Sequence, residues 1–180
     1  GDELLTIESL RGTYDRSGAV DYAHDWAYDR NSAYYDFEYL GGDCTNFVSQ
    51  AMYEGGGISE TASGGGVGEP GWYYVSVSDR AAAWTDVNYL YDFIMNGHFW
   101  TGGPEGEEES TESYMYEGDI IQYEWGDGGS WDHSVIVVYS LQISPTYWYP
   151  SVASHSDNVD NYPFSSYDYG DVRFLHITGY

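Results

Sequence analysis

Apolar residues recur at helical spacing in the first half of the chain and condense into short strand-like runs in the second. Between Asp15 and Asp29, Val20, Ala23 and Ala27 form an apolar stripe behind a capping Asp15 or Ser17, which predicts a first helix. Its Tyr, Trp and Asp residues predict that only one side is buried. A turn through Gly41-Gly42-Asp43 then opens a second helix near Cys44, with Phe47, Val48, Ala51 and Met52 on one face and Gly55-Gly56-Gly57 as its stop. From Gly55 to Pro70 glycine and serine dominate, which predicts a long exposed loop. A third helix is predicted from Thr85 to Asn96, burying Val87, Leu90, Phe93 and Ile94, with Gly97 at its end. Glu105 to Ser113 is acidic and reads as a polar loop.

Strands follow. Asp119 to Tyr123 is the first, and Ser134 to Tyr139 is a β-branched run of the kind found in central strands. Tyr147 to His155 and Arg173 to Ile177 add two more. N-terminal helices packed on an antiparallel sheet define an α+β fold. At 180 residues without an internal repeat, the chain is expected to form one domain over residues 1–180.

Charge narrows the function. Asp and Glu number 30 against 5 basic residues, all arginine, for a net charge of -25. Such a surface repels nucleic acid and anionic membranes, so neither is an expected partner. The excess fits a saline or cation-rich setting, a plain acidic surface, or a cation-binding module. No hydrophobic run approaches the ~20 residues of a membrane span. The chain starts at Gly1 without an initiator Met, as a processed secreted protein would, and an extracellular location is expected. A truncated chain would begin the same way. One cysteine precludes an internal disulfide.

That cysteine is also the leading chemical candidate. At a helix start a thiol meets unpaired amides and the positive end of the helix dipole, which favour the reactive thiolate and can stabilise an oxyanion. A cysteine in this position is by itself more often a small buried hydrophobe. His133, immediately before the central strand, is placed to act as a base, and either His155 or Asn158 can orient it. Trp72, Tyr73, Tyr74 and Trp84 are candidates for a substrate groove or for the core, with Asp43 beside the cysteine as a further substrate contact. Asp127 among Gly126, Gly128 and Gly129 lacks the ligand spacing of an EF-hand and reads as a turn. His24, His98 and His176 lack metal-ligand spacing, so no metal or cofactor is expected.

Together Gly41-Gly42-Asp43-Cys44-Thr45-Asn46-Phe47-Val48-Ser49-Gln50, Trp72-Tyr73-Tyr74, Trp84-Thr85, Gly118 to Tyr123, Asp132 to Val137 and His155-Ser156 with Asn161, Pro163 and Ser165 resemble the bacterial putative amidase domain family, over about Tyr14 to Ile177. That family is related to the NlpC/P60 and CHAP cell-wall peptidases. The resemblance implies a papain-like fold, Cys44 as nucleophile and His133 as base, with His155 as the preferred orienting group. Relatives carry an aspartate shortly after the position of His155, where this chain reads Asn158. The implied activity is cleavage of an extracellular peptide or cell-wall amide. The rival expectation, from the wealth of Tyr and Trp, is an extracellular protein that self-assembles into oligomers or filaments on an amidase-like fold.

Overall fold

The computed structural model describes residues 12–180. Helix α1 (Arg16–Trp26) begins where Asp15 accepts a hydrogen bond from the Gly18 amide. Helix α2 (Cys44–Gln50) runs on through one π-helical turn, Ala51–Gly55. Gly18 and Gly55 let α1 and α2 touch backbone to backbone: a Cβ on Gly55 would lie 2.3 Å from the Gly18 carbonyl oxygen. A single turn, α3 (Ala82–Thr85), precedes α4 (Val87–Asn96). Asp86 caps α4, and Val87, Leu90, Phe93 and Ile94 are its buried residues, the four expected from their spacing.

Two sheets complete the fold. A small one of β1 (Val67–Glu69), β2 (Tyr74–Ser76) and β3 (Asp79–Ala81) flanks the helices. The main sheet comprises β4 (Glu105–Glu109), β5 (Ile120–Glu124), β6 (His133–Ser144), β7 (Tyr147–Ser154), β8 (Val159–Pro163) and β9 (Asp171–Gly179). Its six strands are antiparallel, in the order β4-β9-β5-β6-β7-β8. Both faces of the central strands are covered. Ile120, Ile136, Val138, Ala153 and Leu175 face the helices, and Ile121, Val135, Val137, Val152 and Phe174 pack with Met115, Phe164 and a tyrosine layer. Burial on both sides explains why β6 starts as a continuous apolar run instead of an alternating one. The molecule is thus α+β, a helical part on an antiparallel sheet.

Three expectations change. Glu105 to Glu109 is a strand: every residue of the acidic run pairs with β9. At a sheet edge the backbone supplies the pairing, and a row of glutamates keeps the outer edge from recruiting another strand. The stretch from Gly55 to Pro70 is not uniformly exposed, because Ile58 enters the core and Thr61 exchanges hydrogen bonds with Trp72. Helix α2 buries all seven residues, polar ones included, where one apolar face was expected.

Candidate active site

The polar residues of α2 are buried because each has a partner. Trp72 Nε1 donates to Ser49 Oγ (3.1 Å), Trp84 Nε1 donates to Asn46 Oδ1 (3.0 Å) and the Tyr22 hydroxyl donates to Gln50 Oε1 (2.6 Å). Trp72 and Trp84 are fully buried with ring centroids 4.6 Å apart, and Tyr73 is buried beside them. Trp72 and Trp84 are core that clamps the cysteine helix, and the buried Tyr73 turns its hydroxyl to the Gly66 carbonyl. Of that group Tyr74 alone is half-exposed, and its hydroxyl accepts the Tyr35 amide.

Asp43 and His155 form a second buried support. Asp43 accepts from the Phe37 amide (2.9 Å) and Asn46 Nδ2 (2.8 Å) through one oxygen and meets His155 Nδ1 (2.5 Å) through the other. The remaining nitrogen of His155 reaches the Trp26 carbonyl at 2.8 Å, and the ring stacks on Phe47 at 4.0 Å. With both nitrogens occupied inside the protein, His155 has none left to orient His133. Asp43, 1% exposed, offers no surface to a substrate. Asn158 turns away as well: it has φ 53° and accepts Arg30 Nη2 at 3.0 Å.

Cys44 and His133 line one cleft of about 460 Å³, together with Asp157, Tyr167, Trp125 and Glu38. Cys44 begins α2, His133 begins β6, and the Thr45 hydroxyl donates to Ser134 Oγ (3.1 Å), tying the two elements together. The carboxylate beside His133 is Asp157, 3.7 Å from Nε2. Ser154 Oγ bridges them: it lies 3.2 Å from His133 Nε2 and donates its own proton to Asp157. The Tyr167 hydroxyl donates to the other oxygen of Asp157. Because the proton of Ser154 is committed to Asp157, Ser154 accepts from His133, which places the ring proton on Nε2 and leaves Nδ1 as the basic nitrogen.

Local pattern does not single out Asp157, although it lies between the two candidates His155 and Asn158. Ser156 and Asn158 both take positive φ, 75° and 53°, and this tight turn from β7 to β8 directs the intervening carboxylate back to the sheet.

Burial dominates the electrostatics. It pushes the Cys44 thiol above its ordinary value, outweighing the backbone of Ser134 and the hydroxyl and backbone of Thr45, which favour the thiolate. Burial likewise lowers His133 below 6.5, against the pull of Asp157 and Asp132. Trp125, Tyr123 and Tyr167 pack around the imidazole at 5.6, 6.3 and 5.4 Å between centroids, and they account for its dryness. The helix start alone favours a thiolate. In the folded protein desolvation opposes both the thiolate and the imidazolium.

Glu124, Asp127 and Asp132, close by, bring carboxylate oxygens within 4.8 Å of one another. Amides of Gly126, Gly128, Gly129 and Trp125 donate into this group, so Asp127 does sit in a hydrogen-bonded turn.

A buried thiol, an imidazole and a carboxylate thus share one cleft. Residues 13–178 match the family model described as a putative amidase domain, and the chain belongs to that family. Membership points to amide hydrolysis at a general level. Among curated proteins, the chain is similar to the uncharacterized protein YhbB of Bacillus subtilis (strain 168), with 30% identity over 129 residues, 69% of this chain. The match spans 37% of that protein's length. No solved structure matches the chain significantly. Among the described residues, no helix is long and apolar enough to cross a membrane.

Proposed function

We propose that this protein is a cysteine amidase in which Cys44 attacks the amide carbonyl and His133 manages the proton. The observation that carries the reading is the convergence of Cys44, His133 and Asp157 on one open cleft, from a helix start, a strand start and a turn. The pair begins neutral, so His133 Nδ1 takes the thiol proton as sulfur attacks. The amides of the first turn of α2, which have no intrahelical partner, then face the developing oxyanion. Asp157, through Ser154 and directly, stabilises the imidazolium that forms. His133 returns the proton to the leaving amine, and water, deprotonated by the same imidazole, hydrolyses the thioester.

A cysteine on a helix start and a histidine on an antiparallel sheet, lining one cleft, support a papain-like reading of the fold, akin to the NlpC/P60 and CHAP peptidases. The proposed substrate is an extracellular or cell-wall peptide amide, with the protein acting outside the cell. Wild type and Cys44→Ala are to be compared on purified cell walls, following release of free amines. Release that depends on Cys44 supports the reading, whereas equal release by both proteins removes it.

A second reading has its own observation. Beyond Val138, β6 carries Tyr139, Leu141 and Ile143, all exposed. Such residues suit contact between copies once the net charge of -25 is screened. Sedimentation is therefore expected to shift to larger species on raising salt, and Leu141→Lys is expected to prevent it. A monomer at every salt concentration would remove the assembly role.

A further inference from the structure

A second cavity, of about 350 Å³, opens between the end of β1 and helices α3 and α4. It shares no lining residue with the Cys44 cleft. One side of α4 faces it: Tyr89, Asp92, Phe93 and Asn96 recur at helical spacing and all line the cavity. The turn after α4, in which the Trp100 amide donates to the Gly97 carbonyl at 2.8 Å, adds Phe99 and Trp100. The floor is apolar, with Ala82, the buried Ala83 and the buried Phe93, whose ring centroid lies 6.4 Å from that of Trp100. Gly71, at φ 101°, contributes only backbone to the wall beside Trp100. Tyr89, Phe99 and Trp100 are 58%, 76% and 39% exposed. Single exposed rings are ordinary, but three around one apolar cavity mark a place for a ligand.

The charge of this cavity has one sign. Asp92 and Glu69 line it, no arginine or histidine does among the described residues, and the chain has no lysine. The exposed Asp92 carboxylate accepts no hydrogen bond and forms no ion pair among the described residues. Arg173, whose field reaches Asp92, does not bond it: the guanidinium is held between the rings of Tyr91 and Trp131, at 3.6 and 4.1 Å, and donates to Gln122. Such a lining repels an anion. A primary ammonium or a guanidinium brings N–H groups that must be satisfied on leaving water, and the side chains of the floor accept none. A quaternary ammonium has no N–H. Its methyl groups bury against the alanines, while ring faces and Asp92 attract its charge. We propose that this cavity is a binding site for a quaternary ammonium group, with Tyr89, Phe99 and Trp100 around the cation and Asp92 at the rim. It is a recognition function separate from the chemistry of Cys44.

Choline and its neutral isostere 3,3-dimethylbutan-1-ol are titrated against the protein at constant ionic strength, with binding read by saturation-transfer NMR on the ligand methyl signals. Choline is expected to bind about fivefold tighter than the alcohol, the scale of one cation–ring contact. 2-Aminoethanol, which carries N–H groups, should displace choline only weakly. Trp100→Leu should abolish the preference for choline, and Phe99→Leu and Asp92→Asn should each reduce it. Glu107→Gln, which removes the same charge from β4, should leave it in place. Should Trp100→Leu fold poorly, Phe99→Leu and Asp92→Asn, both at exposed side chains, decide the matter. Equal affinity for choline and the alcohol would reduce the cavity to a plain apolar groove and overturn the proposal. No saturable binding of choline, or tighter binding of 2-aminoethanol, would overturn it as well. So would a preference that survives both aromatic substitutions unchanged, because the cation would then sit elsewhere. Cys44→Ala should bind choline as wild type does, so the site stands or falls apart from the amidase reading.

Discussion

His133→Ala is expected to lower kcat/KM on an amide substrate by on the order of 10⁴-fold, because it removes the group placed to take the thiol proton. A thiol kept neutral by its own burial cannot compensate by ionising. The pH profile of wild type reports the ionisation of the pair. His133 must be unprotonated to act, and burial holds it below 6.5, so the acid limb of kcat/KM should have its midpoint below that value. A midpoint above 6.5 would overturn the lowered value of His133. Asp157→Asn should slow the reaction about 10- to 100-fold through loss of imidazolium stabilisation. Asn158→Ala should leave the rate nearly unchanged, and the opposite order would return the orienting role to Asn158.

The same shifts fix the pH dependence of stability. A histidine with a lowered folded value binds fewer protons in the native state than in the unfolded chain. Its favourable contribution is therefore complete above 6.5 and is lost as the pH falls toward the folded value. Cys44 acts in the reverse sense: its thiol is raised, so that contribution is present below the ordinary value of 9.0 and is lost as the pH rises above it. The pair is most stabilising between these two limits. His176, raised chiefly by its hydrogen bond to Asp119, contributes with the opposite sign to His133, so the His133 component is read as the difference between wild type and His133→Ala.

The second large effect concerns structure. Asp43→Ala is expected to cost about 3–5 kcal/mol, because it strands His155 and the Phe37 amide in a site with almost no solvent access. For a chain of this size that corresponds to roughly a 10 °C fall in Tm. His155→Ala should cost a similar amount by abandoning the carboxylate, and the double variant should cost less than the sum of the two. Thermal unfolding of the three proteins checks this. If His155→Ala were as stable as wild type yet inactive, His155 would belong to the chemistry after all. This measurement separates support of α2 from participation at the thiol.

Local rules are enough to read several parts of this protein from its residues. The apolar spacing of Val87, Leu90, Phe93 and Ile94 and the β-branched run from Ser134 reflect a helical period and a continuous burial that the chain carries in itself. The turn at Gly41-Gly42 followed by Cys44, and His133 ahead of the strand, are legible for the same reason: caps, turns and strand starts are written over a few neighbouring residues. The acidic β4 is not legible, because its strand state comes from pairing with β9, far along the chain, and not from its own side chains. Nor can local pattern choose among His155, Asp157 and Asn158. The choice depends on which way a turn with two positive φ angles points its side chains and on which acceptors already surround each ring. Tertiary packing likewise decides that Trp72, Tyr73 and Trp84 are core, since an amphipathic ring reads the same whether it stacks on a substrate or grips a helix. Even the protonation of the cysteine is a tertiary outcome: the helix start favours the thiolate locally, but the field that decides is set by how much water the folded neighbours exclude.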